Sequence, residues 1–238
     1  MAETNDVVPV ESGRRTFAAG MMETIKEPAL GACADVLEVL LDMLTDDGVL
    51  KDLPIAGWLV GLGRSLLSVP DRLFLKKLGR FLSELKQVPE KERLAFADKI
   101  EREGSTEKVG EKILMIVDQL DDTEKASLAG QVFSACLRGM IDIDQFYILC
   151  SCIRLTRIAD IDALLLNHDD VGSMDPAVVR ALCLTGLADW EIKVPRTIDE
   201  VGSSQTGIFY TISFYGSLLT TILRDRGDRL REKASSKL

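Results

Sequence analysis

The chain has 238 residues, of which 46% are hydrophobic, 28% charged and only 5% aromatic, and its formal net charge is −9. This composition excludes collagen-like, low-complexity and wholly disordered proteins, and a chain of this length can bury a core without disulfides or metal ions. The negative charge argues against nonspecific nucleic-acid binding, and a single histidine argues against most metal-hydrolase and Ser-His-Asp schemes.

The first part of the chain is predicted to be an α-helical bundle. Residues 1–20 are polar and are expected to be disordered. Over residues 21–157 the apolar positions recur with the 3.6-residue period of amphipathic helices, and short connections favour antiparallel packing. Helices are predicted to begin near Met22, Pro70, Pro89, Ser105, Asp121 and Asp142.

The pattern changes after residue 157. A helix is predicted over 158–167, and Asp175 with Pro176 forms an N-cap and first-turn pair for the next one. Residues 190–194 and 208–212 have the pattern of two strands joined across a Gly/Ser-rich loop. A further helix over 214–223 leads into a basic tail, residues 225–238, in which the helix is expected to fray.

The order helix, helix, hairpin, helix over residues 158–224 resembles a winged-helix module. The residues that carry the resemblance are Leu184-Thr-Gly-Leu187 before the first strand and Tyr210-Thr-Ile-Ser-Phe-Tyr-Gly216 at the end of the second. Winged-helix proteins have a similar Leu-x-x-Gly-Leu and Tyr-x-Leu-Thr-x-x-Gly pattern, and Ile-Ser replaces the Leu-Thr here. The resemblance implies DNA binding, but residues 158–223 carry nine acids and only three bases. DNA binding needs a cationic surface, so we expect a protein-binding module, with nucleic acid left only to the basic tail.

The segment 53–86 is a candidate docking surface. Residues 53–63 carry no charge, whereas residues 64–86 carry six bases and two acids. An apolar stretch with a tryptophan followed by a basic helix is typical of docking on an anionic membrane or a partner. The alternative is a buried hairpin whose Lys and Arg side chains extend to solvent. The run is too short and too charged for a transmembrane helix. The candidate surface residues are Trp58, Leu59, Leu62, Arg64, Arg72, Lys76, Lys77 and Arg80.

Other chemical motifs are poorly supported. Five residues separate Gly57 from Gly63, and arginine follows Gly63. A phosphate loop has four residues between its two glycines, and lysine follows the second one. The acidic residues around His168 have the pattern of a solvated loop. Cys150 and Cys152 would point to different faces of a helix, so we expect core cysteines and no zinc site. We therefore predict no catalytic residues, no metal and no cofactor.

Residues 22–86 also resemble bacterial abortive-infection proteins of the Abi-alpha type. The resemblance rests on Ile25-Lys-Glu-Pro28, an amphipathic helix, an apolar Leu/Gly/Trp segment and Asp71-Arg-Leu-Phe-Leu-Lys-Lys77. It implies a cytosolic phage-defence or stress protein without an enzymatic centre. An odd number of cysteines and the lack of an apolar leader also favour a cytoplasmic protein.

These observations together predict a mainly α-helical chain, with a helical bundle followed by a small winged-helix-like α+β module. We expect a non-enzymatic effector or adaptor that acts through a protein partner or a homo-oligomer. Docking of residues 53–86 would make it peripheral to the inner membrane. The alternative is a winged-helix regulator that binds a protein partner or nucleic acid.

Overall fold

The computed structural model describes residues 10–28, 30, 69–193 and 207–236. These residues contain ten α-helices and, near the C-terminus, one two-stranded antiparallel sheet. The prediction of a mainly helical chain with a small C-terminal sheet is therefore confirmed. The chain divides into two compact units, Met1–Asp142 and Ile143–Leu238.

The first unit is helical throughout its described part. Helix α2 packs mainly on α5, and α1 packs mainly on α4. Capping follows the sequence, since the Asp122 side chain accepts the backbone N–H of Glu124 at the start of α5. The elements are α1 (Val10–Lys26), α2 (Val69–Glu84), a 3-10 turn (Leu85–Gln87), α3 (Glu90–Arg102), α4 (Thr106–Gln119) and α5 (Thr123–Leu137).

Three phenylalanines form the centre of this unit. The ring of Phe133 stacks on that of Phe81 with their centroids 5.5 Å apart, and it meets Phe96 edge-on at 5.6 Å. All three side chains are buried, so α2, α3 and α5 share one aromatic core. The rest of the apolar face of α2 is buried as well, through Leu75, Leu78 and Leu82.

Helix α1 begins inside the segment predicted to be disordered. The prediction is wrong for residues 10–20, and its remainder, 1–9, lies outside the described residues. Tertiary contact is the physical reason, because α1 buries Ala18, Met21, Met22 and Ile25. Gly110 of α4 allows the close approach, since a Cβ there would overlap the carbonyl of Ala18.

A buried arginine holds the end of α1. The guanidinium of Arg93 donates to the carbonyl oxygens of Ile25 at 2.6 Å and Glu27 at 2.8 Å. It also donates to the carbonyl of Val88 at 3.3 Å. The last carbonyls of a helix have no partner within the helix, so a cation placed there stabilises the helix end.

The second unit places three helices before the hairpin and two after it. Helix α6 joins this unit, whereas the sequence analysis assigned residues 143–157 to the bundle; only two residues separate α6 from α7. The elements are α6 (Ile143–Leu155), α7 (Ile158–Asn167), a 3-10 turn (Val171–Ser173), α8 (Pro176–Leu184), β1 (Ala188–Lys193), β2 (Gly207–Ile212), α9 (Phe214–Ile222) and α10 (Arg224–Ser235).

Most of the predicted basic tail is helix α10 rather than a frayed end. The Arg226 guanidinium donates to both carboxylate oxygens of Asp162 in α7, at 2.7 and 3.0 Å. Arg231 donates to the carbonyl oxygen of Leu165 at 3.0 Å. The expectation of fraying is therefore wrong for residues 225–235, because a bidentate ion pair and a backbone contact tie the helix to α7.

Candidate functional site

The predicted docking surface lies only partly within the described residues. Lys76 and Arg80 are exposed and lie four residues apart on the same face of α2. Arg72 belongs to the same helix, but its side chain is not described. Four predicted residues lie outside the described part of the chain, namely Trp58, Leu59, Leu62 and Arg64.

Lys77 has a structural contact. Its ammonium group donates to the carbonyl oxygens of Asp118 and Leu120, the latter at 2.8 Å, at the end of α4. A cation at this position satisfies terminal carbonyls and stabilises the negative end of the helix dipole. With its apolar side buried, α2 follows the alternative of a core segment whose basic side chains extend to solvent.

Three large apolar side chains of the β-hairpin are more than half exposed. They are Trp190 at 59%, Ile192 at 60% and Ile208 at 56%. In the antiparallel pairing Trp190 lies opposite Tyr210, and Ile192 lies opposite Ile208. Opposite residues of an antiparallel pair share a face of the sheet. We call the surface formed by Trp190, Ile192, Ile208 and Tyr210 the hairpin face.

The hairpin face continues outward from the core of the second unit. Ala188 and Ile212 form the next pair on the same face. Ala188 is buried and Ile212 is half-buried. This side of the ribbon is therefore covered at the pair Ala188–Ile212, which we call its base. It is exposed to solvent at the pairs Trp190–Tyr210 and Ile192–Ile208.

The opposite face of the hairpin is partly acidic. Asp189 and Glu191 are exposed and alternate along β1 with the residues of the hairpin face. Their partners across the ladder are Thr211 and Phe209. An apolar surface backed by two carboxylates suits contact with a protein better than contact with a phosphate backbone.

Helix α8, which precedes the hairpin, has an exposed side with little charge. Val179 and Leu182 are buried, whereas Ala177, Arg180 and Leu184 are exposed. Leu184 is 87% exposed, and Arg180 is the single basic residue of the helix. A helix that reads DNA in the major groove presents polar and basic groups to bases and phosphates. The exposed side of α8 lacks this chemistry.

Three of the cysteines are buried in the core. Cys150 and Cys152 are buried, which confirms the prediction of core cysteines for these two; Cys136 is buried as well, and Cys183 is half-buried. Burial, with a smaller contribution from the charge of Asp142, raises the pKa of Cys136 to about 12. Its thiol is therefore protonated, and a poor nucleophile, at neutral pH. Among the described residues, no group of three or more His, Cys, Asp or Glu side chains is arranged to hold a metal ion.

The hairpin face was not predicted from the sequence. Its signal was present, since apolar Trp190 and Ile192 alternate with acidic Asp189 and Glu191. Alternation indicates that a strand has two different faces, but it does not say which face another element covers. That information came only from the exposure of the side chains.

None of the helices in the described ranges is both long and apolar enough to cross a membrane. Comparison of the chain with protein-family models, with curated proteins and with solved structures finds no match. The resemblances of residues 22–86 and 158–224 therefore stay predictions. The function is argued from the hairpin face and from helix α8.

Proposed function

We propose that the chain is a non-enzymatic adaptor that binds a protein partner through the hairpin face. The observation that carries this proposal is the exposure of Trp190, Ile192 and Ile208 on one side of a β-ribbon. Adjacent exposed apolar side chains are costly in water and commonly mark interaction sites. Aromatic residues are enriched in the cores of such interfaces, and tryptophan is frequent among the residues that dominate binding energy.

Within this proposal the second unit is a winged-helix module, and the hairpin is its wing. Support comes from the element order, with three helices before the hairpin and one directly after it. The two motifs that carry the resemblance also contact each other. Ser213 donates its hydroxyl to the carbonyl of Gly186 at 2.7 Å, and its backbone N–H donates to the carbonyl of Leu187 at 3.2 Å.

Charge favours a protein partner over nucleic acid. Proteins that bind duplex DNA neutralise phosphates with Lys and Arg side chains. The exposed side of α8 offers Arg180 alone, and β1 presents Asp189 and Glu191. The arginines of α10 include Arg226, which is already paired with Asp162. In α8, β1 and β2 the bases are Arg180 and Lys193 alone, so these described elements lack a cationic footprint.

The resemblance of residues 22–86 to Abi-alpha-type proteins supports a bacterial cytosolic role in phage defence within this proposal. Docking on the inner membrane would depend on residues 53–68, which lie outside the described part of the chain. Helix α2 would add the exposed side chains of Lys76 and Arg80. Leu75, Leu78 and Leu82 of this helix are buried and unavailable to a lipid surface, whereas Leu73 is exposed.

The proposal can be tested by site-specific photocrosslinking in cells. A photoreactive amino acid replaces Ile192 in one variant and Leu155 in the other. The two positions are matched, since both lie in the second unit and are 60% and 58% exposed. We expect a discrete protein adduct from position 192 only, because that residue lies on the hairpin face.

A second substitution distinguishes specific docking from nonspecific hydrophobic association. Trp190→Asp, added to the position-192 variant, should abolish the adduct and lower the free energy of unfolding by no more than about 1 kcal/mol, because more than half of the Trp190 side chain lies outside the core. Equal adducts from positions 155 and 192 would contradict the proposal. Crosslinks to nucleic acid alone would contradict it in favour of a regulator.

A further inference from the structure

A small polar pocket lies in the second unit, at the end of α7 and beside α9 and α10. Its volume is about 110 Å³. The side chains of Arg224, Arg231 and His168 line it together with the hydroxyls of Thr220 and Thr221. The hairpin face does not contribute to it, so any ligand of this pocket is independent of the proposed protein contact.

Arg231 is held in place and still has hydrogen-bond donors to spare. Its guanidinium donates to Asp228 at 2.8 Å, to the carbonyl of Leu165 at 3.0 Å and to Nε2 of His168 at 3.2 Å. A guanidinium has five N–H donors, so two are left for a ligand. Fixing the group beforehand lowers the conformational cost of binding.

Arg224 supplies a second positive charge. Within the described part of the chain its guanidinium has neither a hydrogen-bond partner nor an ion-pair partner, in contrast to that of Arg226, which is paired with Asp162. All of its donors are therefore free for a ligand. Its side chain lines the same pocket as that of Arg231.

The remaining polar groups of the pocket are already engaged. The hydroxyls of Thr220 and Thr221 both donate to the carbonyl of Ser217. The Nδ1 atom of His168 lies 3.0 Å from Asp169, and its Nε2 atom faces a guanidinium donor. The free donors of the pocket thus belong to the two arginines.

The balance of charge and size defines the ligand. Asp228 pairs with Arg231, and Asp169 lies beside His168, so Arg224 supplies the positive charge of the pocket that no described carboxylate offsets. A ligand pocket for a drug-sized molecule measures about 300–1,000 Å³, so this one fits a small group only. Arginine binds phosphate oxygens through paired N–H donors.

We propose that this pocket binds the phosphate group of a small anion, held between Arg224 and Arg231. The group would contact the first and the third turn of α10, and Arg231 in turn donates to the carbonyl of Leu165 in α7. The shared chemistry is a tetrahedral dianion, which can be inorganic phosphate or a phosphomonoester. Because binding to the folded state stabilises it, saturating ligand should also raise the unfolding temperature of the protein.

The single histidine of the chain provides the assay. His168 is the only imidazole, so its NMR signals report on the pocket of the full-length protein without ambiguity. The protein is titrated at constant pH with inorganic phosphate, with glycerol phosphate and with sodium chloride at matched ionic strength. We expect saturable shifts with at least one of the two phosphate compounds and none with chloride. Comparing the two phosphate titrations identifies the preferred source of the group.

Two arginine variants make the test specific. Arg224→Ala should weaken binding by about tenfold or more, because it removes a charge-assisted contact. Arg229→Ala is the matched control, since Arg229 is an exposed residue of the same helix outside the pocket, and it should change affinity by less than about twofold. Circular dichroism confirms that both variants are folded. Non-saturating shifts, or equal losses in the two variants, would overturn the proposal.

Discussion

The helical unit Met1–Asp142 and the C-terminal unit Ile143–Leu238 use their large apolar residues differently. In the described part of the first unit, the exposed large apolar side chains are Leu73, Met115 and Met140. In the described part of the second unit they are Ile148, Leu155, Leu166, Leu184, Trp190, Ile192, Ile208, Phe209 and Phe214.

The geometry of the elements explains this difference. Each helix of the first unit has one apolar stripe, and a facing helix covers it. A two-stranded ribbon has two broad faces and is not stable alone, so it needs cover from other elements. In the second unit that cover reaches Ala188 and ends before Trp190 and Ile192. The second unit therefore has apolar surface left for a partner, whereas the described helices of the first unit have buried most of their large apolar side chains.

The largest effect should come from the aromatic core of the first unit. Phe133→Ala removes the ring that contacts both Phe81 and Phe96, and we expect a loss of about 3–5 kcal/mol in the free energy of unfolding. Trp190→Ala in the second unit should cost less than about 1 kcal/mol. Urea unfolding followed by circular dichroism measures both. Similar losses would remove the distinction between the two units.

The base of the hairpin should be the sensitive part of the second unit. Gly216→Ala would place a Cβ onto the carbonyl of Leu187, and we expect a loss of about 1–3 kcal/mol from the resulting overlap. Gly172→Ala is the control, because its Cβ would make only ordinary contacts, at 3.7 Å. Thermal unfolding measures the loss of stability in the two glycine variants. A stable Gly216→Ala protein would show that the hairpin is not anchored at this point.

Alkaline pH should weaken the core around Cys136. Burial raises the pKa of this thiol from 9.0 to about 12, so the folded state keeps the proton longer than the unfolded state. The contribution of the Cys136 thiol to the free energy of unfolding is fully present below pH 9. It is lost as the pH rises from 9 toward 12, by up to about 1.4 kcal/mol per pH unit.

Cys136→Ala isolates this contribution from other alkaline titrations. Between pH 8 and pH 10 the free energy of unfolding should fall by about 1 kcal/mol more in the unchanged protein than in the variant. Urea unfolding at the two pH values measures the difference. Cys183→Ala removes a half-buried thiol of the second unit, and it should reduce the pH dependence of the free energy of unfolding by less than Cys136→Ala does. Parallel pH profiles for Cys136→Ala and the unchanged protein would show that water reaches Cys136.

The smallest effect should separate two neighbouring lysines of α2. Lys77→Met removes the hydrogen bonds to the end of α4 and should cost about 1 kcal/mol. Lys76→Met alters an exposed side chain and should change stability by less than about 0.5 kcal/mol. Chemical unfolding measures both. The reverse order would show that the contacts of Lys77 with the end of α4 do not stabilise the fold.

Local signals predicted much of the fold. The helix over 158–167 matches α7, and Asp175 caps α8 by accepting the backbone N–H of Ala177 at 2.7 Å. Caps and periodicity act between residues close in sequence, so they are visible without a structure. The strands were predicted two residues late in β1 and one residue late in β2, because strand pairing sets their ends.

Contacts between distant residues were not predictable in the same way. Helix α1 depends on Gly110, and α10 depends on Asp162 and Leu165. The candidate site was missed for a related reason, since the exposure of Trp190 depends on where neighbouring elements end. A sequence pattern does not show where the neighbouring elements end, so it does not predict which side chains they leave exposed.

The sequence by itself determined most of the helices, the two strands and the division of charge along the chain, because propensity, capping and periodicity are local properties. Only the tertiary structure decided which surfaces remain open. It buried the apolar side of α2 and engaged Lys77 in the end of α4. It left the hairpin face exposed, because no described element covers Trp190, Ile192 and Ile208 beyond the base of the ribbon. Burial depends on packing among distant segments, and packing determines where an apolar residue is core and where it is a binding surface.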